Sequence, residues 1–255
     1  MKHFTGVFIL VFWSIQACTY NIGLCIVATG KYIAYVQPLI ESAEKYFCTN
    51  HNVTYFIFTD ASPIERSDTI TVFQKKLGWP YDTMMRPSMY YTCFKNSKES
   101  QINQQRKISI LDMDFLFSCD ADMRFVSSVG DEILHERVGT LHPGYVNSPG
   151  TYETNPISRA YVRPGEARYY FAGGFWGGSQ KEFFNIAGTI TANVEADLLQ
   201  GHIAVWHEES HLNRYFIDHP PTLILSPSYC YPESLNLPYP KKLLALDKNH
   251  SSMRD

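Results

Sequence analysis

The chain has 255 residues, 45% of them hydrophobic and 15% aromatic, which is enough to bury one large core and reads as a single α/β domain. Its 22 basic and 25 acidic residues leave a formal net charge of -3 with the basic ones dispersed. That excludes a nucleic-acid partner, which needs a clustered basic face. The six cysteines lie far apart without a C-x-x-C pair, so neither a zinc site nor a dense disulfide framework is expected and most read as core thiols.

The start, Met1-Lys2-His3 followed by the apolar run Phe4 to Ile15 and then Gln16-Ala17-Cys18, has the layout of a secretory signal or of a short uncleaved anchor. As a bilayer span it would be short. Residues 1–20 are therefore expected to address the chain to the secretory pathway, with possible membrane attachment through residues 4–17, and residues 21–255 to form the domain. Two N-glycosylation patterns, Asn52-Val53-Thr54 and Asn249-His250-Ser251, gain meaning in that compartment.

Asn21 to Val27 is an apolar strand running into the small-residue turn Ala28-Thr29-Gly30, as expected for the first strand of a nucleotide-binding sheet, whose carboxyl end faces the ligand. Val36, Leu39, Ile40, Ala43 and Phe47 recur at helical spacing and predict a crossover helix. Strands are expected over 53–59 and 70–73, and a helix over 84–94 followed by a solvated polar stretch from Lys95 to Lys107. Then comes Phe115-Leu116-Phe117-Ser118-Cys119-Asp120-Ala121-Asp122, an apolar strand that stops at two carboxylates. At the carboxyl end of a buried strand Asp120 and Asp122 can point to one side, and hard divalent cations take such oxygen ligands. Two carboxylates leave most of the coordination sphere open, which suits an ion shared with a diphosphate. The alternative is a solvated turn.

A strand over 138–141 leads into His142-Pro143-Gly144-Tyr145, and residues 146–168, rich in Asn, Pro, Gly and Tyr, predict a long loop carrying part of an acceptor site. Tyr169 to Gly178 is an aromatic strand broken by two glycine pairs, which let backbone approach something bulky. Ser179 with Glu182 predicts a capping box for a helix running toward Gly201. Trp206-His207-Glu208-Glu209-Ser210-His211-Leu212 continues as helix to about Phe216, a strand over 222–225 follows, and the tail reads as loop with a basic end. His207 and His211 share a helix face as in metalloprotease helices. A third ligand is not evident, however, and the Asp-x-Asp strand would have no role in such a protein.

Taken in order, Ala-Thr-Gly-Lys-Tyr, Trp-x6-Arg, Asp-x-Asp, Gly-Gly-Phe-Trp-Gly-Gly, Trp-His-Glu-Glu-Ser-His-Leu-Asn and the basic tail resemble the family 6 glycosyltransferases, relatives of the histo-blood group A and B transferases and of α1,3-galactosyltransferase. The resemblance runs from Asn21 to Arg254. It implies a GT-A fold, a single Rossmann-like nucleotide-sugar-binding domain with a mixed central sheet. It further implies a Mn²⁺-dependent, retaining transfer of galactose or N-acetylgalactosamine from a UDP-sugar to the 3-hydroxyl of a galactose-terminated glycan, glycolipid or glycoprotein, in the Golgi lumen or, alternatively, by a secreted enzyme. By position, the resemblance gives Asp120 and Asp122 to the metal and Val27, Ala28, Thr29 and Tyr32 to uridine. Trp79 and Arg86 embrace the nucleotide-sugar, and Lys248 and Arg254 reach the diphosphate when the tail closes. Glu209 falls on the catalytic glutamate, Trp206 and His142 on acceptor contacts, and Ala172, Gly173, Gly174 and Glu208 beside the donor sugar.

Two departures stand out. Glu208 occupies a position where well-known members carry Asp, and the first strand follows the apolar segment with no long stem between them. At the position that the resemblance sets beside the donor sugar's 2-substituent, Gly174 leaves room for an acetamido group, which implies UDP-N-acetylgalactosamine as donor. Ala172, smaller than the Leu or Met of those relatives, also admits UDP-galactose, because removing apolar contacts discriminates weakly. The competing expectation is a catalytically weak relative that binds sugar nucleotide or glycan.

Overall fold

The computed structural model describes residues 18–100 and 109–254, without the side chains of residues 99, 100, 250 and 254. The signal or anchor reading of residues 1–17 and the polar stretch over 101–107 fall outside the described residues. No helix among those described is long and apolar enough to cross a membrane.

In chain order the elements are β1 (Asn21–Val27), α1 (Ile33–Tyr46), β2 (Asn52–Thr59), β3 (Thr69–Phe73), α2 (Tyr81–Met84), α3 (Arg86–Ser100), β4 (Phe115–Asp120), β5 (Met123–Phe125), β6 (Arg137–Leu141), β7 (Phe171–Ser179), α4 (Gln180–Leu199), α5 (His207–Asp218), β8 (Leu223–Leu225), β9 (Tyr231–Pro232), β10 (Leu243–Ala245) and α6 (His250–Arg254). Seven strands form one sheet in the order β3-β2-β1-β4-β7-β6-β8. β1 is parallel to β2 and β4, and β7 runs antiparallel to both β4 and β6, so the expected mixed sheet is present.

Alternation along the central strands assigns side chains to two cores, one on each face of the sheet. Ile22, Leu24 and Ile26 of β1, with Phe117 and Cys119 of β4, pack against α1. Cys25 and Leu116 belong to the opposite core, with Tyr90 of α3 and Phe183 and Ile186 of α4. Because the strand period is two, the parity of Leu116 and Ser118 carries Asp120 to the α3 face, and pairing in register sets it beside Val27.

Three expectations need correction. The polar stretch after Phe94 is helical through Ser100, and Lys95 and Lys98 lie over the rings of Tyr91 and Phe94, at 4.5 and 4.3 Å from their centroids. Such cation–π contacts one turn apart stabilise a segment whose composition reads as solvated. The tail is not loop: β10 pairs antiparallel with β5 and parallel with β9, and α6 follows. The capping box at Ser179 is half made. Its hydroxyl accepts the Glu182 N–H, but the Ser179 N–H is spent on Glu136 O and the Glu182 carboxylate turns to Arg137 at 2.8 Å.

The two glycine pairs of β7 serve different ends. A Cβ on Gly177 would lie 2.3 Å from Leu116 O, and one on Gly178 would lie 2.1 Å from Glu136 O. Here the bulky neighbour is the backbone of the flanking chain segments, which cannot give way. Gly177→Ala is expected to cost about 3 kcal/mol or more of folding stability, read as a shifted urea-unfolding midpoint.

Candidate functional site

Two clefts open at the carboxyl ends of β1 and β4 and share the wall formed by Asp120, Asp122 and Lys248. The first, about 220 Å³, is lined by Val27, Thr29, Tyr32, Lys76, Trp79, Asp82, Thr83 and Arg86, with Met253 of the tail over it. The second, about 430 Å³, is lined by His142, Ala172, Gly174, Glu209 and Cys230, together with residues flanking β9 and β10.

The chain reaches the first cleft through a set of local constraints. Asp60, following β2, accepts the Gly30 N–H at 2.8 Å, and Gly30 has φ +57°, so the turn after β1 is held in a left-handed conformation that suits glycine. Asp82 accepts the N–H groups of Leu77 and Gly78 at 2.7 and 2.9 Å, closing the turn that sets Trp79 at the cleft mouth, where it is half-exposed. Arg86 opens α3, and its guanidinium joins Asp120 of β4 to Glu208 of α5. Burial is the largest influence and opposes the charge of Arg86, but Glu208, Tyr90 and Glu209 together overcome it and hold the guanidinium pKa above its ordinary value.

Lys248 binds the Asp122 carboxylate, with its ammonium 5.3 Å from the centroid of the Tyr32 ring. Strand pairing explains the contact: Ala245 lies opposite Met123, and Leu246 N–H donates to Asp122 O at 2.9 Å. Continuing the same course, the chain brings Ser252 O to Lys31 Nζ at 2.7 Å. The tail thus lies across the first cleft.

In the second cleft Glu209 sits in the first turn of α5. Its Oε2 accepts the Gly173 N–H at 2.7 Å and its Oε1 the Tyr170 hydroxyl at 2.9 Å. Burial raises its pKa to about 7, although these two hydrogen bonds and the Arg86 charge pull the other way. Consecutive helical positions point about 100° apart, so Glu208 turns to Arg86 while Glu209 turns to β7. α5 is fixed on β7 by Asn213, whose side-chain amide exchanges hydrogen bonds with Phe171 N and O, both 2.8 Å, and also donates to Glu209 O at 2.9 Å. His142 is pushed down to about 4 by burial and accepts the Gly144 N–H on Nδ1 at 3.1 Å, so it is a neutral ring over the cleft.

Most of the residues singled out from the sequence line one cleft or the other. Ala28 is fully buried behind the first cleft, and Trp206, half-exposed just before α5, lines neither. Gly173 contributes its N–H rather than a surface, and the side chain of Arg254 falls outside the described residues. His207 and His211 do not act together: His211 is buried 3.6 Å from Asp197, and the His207 ring meets Trp79 edge-on at 4.9 Å. Among the described residues no group of three or more His, Cys, Asp or Glu side chains is arranged to hold a metal ion. Sequence reasoning missed Lys76, Tyr170, Asn213 and Cys230. A Cβ on Gly174 would lie 3.1 Å from Cys230 Sγ and 3.5 Å from Asp120 Oδ2, so Cys230 faces the space that this glycine leaves open. Only Tyr170, inside the aromatic strand motif, and Asn213, closing the string that begins at Trp206, carried a signal.

An open α/β sheet binds its ligands outside the carboxyl ends of its strands, which is where both clefts lie. A family model described as Glycosyltransferase family 6 matches residues 10–255. Histo-blood group ABO system transferase 1 of Rattus norvegicus is 36% identical over 251 residues, 92% of this chain and 69% of the relative. Globoside alpha-1,3-N-acetylgalactosaminyltransferase 1 of Gallus gallus is 31% identical over 250 residues, 92% and 69%, and Alpha-1,3-galactosyltransferase 2 of Homo sapiens is 26% identical over 229 residues, 83% and 62%. The chain belongs to glycosyltransferase family 6.

Removing the Arg86 guanidinium leaves the buried Glu208 carboxylate uncompensated, with its Oε2 already without a hydrogen-bond partner among the described residues. Arg86→Met is expected to destabilise the fold by about 3 kcal/mol, measurable by urea unfolding without any ligand.

Proposed function

We propose that the protein is a retaining transferase that moves N-acetylgalactosamine from its UDP-sugar, in α1,3 linkage, to a galactose-terminated glycan, with Mn²⁺ as cofactor and UDP-galactose as the second donor. The observation that carries this reading is the placement of Glu209, a partly buried carboxylate with both oxygens hydrogen-bonded, in a cleft that shares Asp120, Asp122 and Lys248 with its neighbour. A carboxylate beside a shared wall of charges is what transfer from a sugar diphosphate needs.

The first cleft takes the nucleotide: Val27, Thr29 and Tyr32 hold uridine, and Trp79 closes on it. Asp120 and Asp122 fit a divalent cation, because both are hard oxygen donors at one strand end. Within the chain their charge is met by Arg86 and Lys248. When bound, the cation neutralises charge on the departing diphosphate. Lys248 and Arg86 add positive charge on the same side, aimed where the transition state accumulates negative charge, and Arg254 is the tail residue that the resemblance gives to the diphosphate. Glu209, as a carboxylate, either attacks the anomeric carbon or stabilises an oxocarbenium-like state; the acceptor is given to His142, in the second cleft, and, on the resemblance alone, to Trp206, which is half-exposed outside both clefts.

Support for N-acetylgalactosamine comes from Gly174. A methyl there would press toward Cys230 Sγ and Asp120, filling the room that an acetamido group uses. Two of the relatives named above carry alpha-1,3-N-acetylgalactosaminyltransferase and alpha-1,3-galactosyltransferase in their names, which are the two donors weighed here. Residues 1–20 are taken as the secretory signal or anchor and residues 21–255 as the lumenal, Golgi-located domain.

A donor screen of the purified protein with Mn²⁺ and a galactose-terminated acceptor tests the reading. UDP-N-acetylgalactosamine is expected to be used fastest, Gly174→Ala to shift use toward UDP-galactose, and UDP binding without transfer to any acceptor would favour a non-catalytic relative. Asp122→Asn is expected to lose the Mn²⁺ dependence of UDP affinity, read by calorimetry with and without the ion. Glu209→Gln is expected to abolish transfer while leaving UDP affinity intact. Because the carboxylate form is required and burial raises its pKa, kcat of the wild type should fall as pH drops through about 7, not through the 4.5 of an ordinary glutamate.

A further inference from the structure

We propose that Tyr170 is a positioning residue for the reaction: its hydroxyl, seated by the loop over 142–152, fixes the plane of the Glu209 carboxylate toward the sugar. The inference rests on the assignment of Glu209 as the catalytic carboxylate.

A single hydrogen bond from the Gly173 N–H would hold one oxygen of Glu209 and leave the carboxylate free to turn about that contact. The Tyr170 hydroxyl, 2.9 Å from the other oxygen, removes the remaining rotation. Holding a reacting group in one orientation is worth large factors in rate, and small misplacements are costly. Tyr170 is always available as a donor, since burial and the Glu209 charge both raise its phenol pKa far above the working range.

The tyrosine itself is held from several sides. Its ring meets His142, Tyr145 and Tyr152 edge-to-face, with centroids 5.6, 4.9 and 5.1 Å away. Its carbonyl accepts the His142 N–H at 2.9 Å, and the Tyr152 hydroxyl donates to Tyr169 O at 2.9 Å. Gly150 packs directly on the ring: a Cβ there would lie 1.9 Å from Tyr170 Cδ2. The loop therefore acts on Glu209 through one side chain, without touching the carboxylate.

The charged and titratable groups facing Glu209 are Tyr170 before β7, Glu208 on its own helix, Arg86 at the start of α3 and Cys230 after β8. Of these only Tyr170 hydrogen-bonds it. Losing that bond removes stabilisation of the ionised form and raises the Glu209 pKa.

The experiment compares wild type, Tyr170→Phe, Gly150→Ala and Glu209→Gln with Mn²⁺, donor and acceptor over a range of pH. Tyr170→Phe, which keeps the ring in its cradle, is expected to lower kcat by about tenfold to a hundredfold with KM for the donor changed less than about twofold, and to move the acid limb of kcat upward. Gly150→Ala, which must push the ring aside, is expected to reproduce both effects. A purely structural tyrosine would alter thermal unfolding and leave the acid limb in place. If Glu209→Gln abolishes transfer while Tyr170→Phe keeps the wild-type kcat and acid limb, the positioning role is overturned and the catalytic reading stands. If Glu209→Gln transfers at the wild-type rate, the catalytic reading itself fails and the inference goes with it.

Discussion

The buried guanidinium of Arg86 is the contact on which the site depends. One side chain at the start of α3 joins the end of β4, through Asp120, to the first turn of α5, through Glu208. Three elements distant in sequence thereby converge on one point between the two clefts. A lysine in its place could not serve both carboxylates equally, since only the planar fork presents separate donors in fixed directions. The arrangement also explains how an acidic pair, Glu208 and Glu209, can open a buried helix. One carboxylate is neutralised by a cation, and the other accepts two hydrogen bonds and remains easy to protonate.

The tail depends on a smaller feature, the short β5 immediately after Asp122. By pairing with β10 it carries the chain from Ala245 back to the Asp-x-Asp turn, so that Lys248 meets Asp122 within three residues of leaving the strand. The cleft wall and its covering segment are thus one hydrogen-bonded unit. The tail is thereby anchored at the Asp-x-Asp turn by both a backbone hydrogen bond and an ion pair.

The departure at Glu208 takes on a physical meaning in this setting. A side chain one methylene longer than Asp reaches the Arg86 guanidinium. Glu208 is committed to that ion pair, while Glu209, next to it in the helix, lines the second cleft. The small wall at Ala172 and Gly174 is bounded by Cys230, so the width of the second cleft at this point is set jointly by three residues from two parts of the chain.

By itself the sequence determined the elements whose patterns are local. These are the strand from Asn21, the helical spacing around Val36 to Ala43, the apolar run ending at Asp120 and the helix behind Glu208 and Glu209. It also carried the order of motifs that places the chain in its family. What it could not carry was anything formed by pairing across the chain. The helix through Lys98 depends on cation–π contacts that composition hides. β5, β9 and β10 are too short to show a period and exist because they pair with one another. The same holds in the site: Asp120 and Asp122 were legible as a carboxylate pair, but Tyr170, Cys230 and Lys76 became site residues only when the fold brought them to the clefts. Local periodicity follows from the geometry of one helix or one strand, whereas the partner of a buried charge is chosen by three-dimensional proximity. Only the tertiary structure decided that Arg86 would bridge two acids and that a tyrosine outside the motif's glycines would hold Glu209.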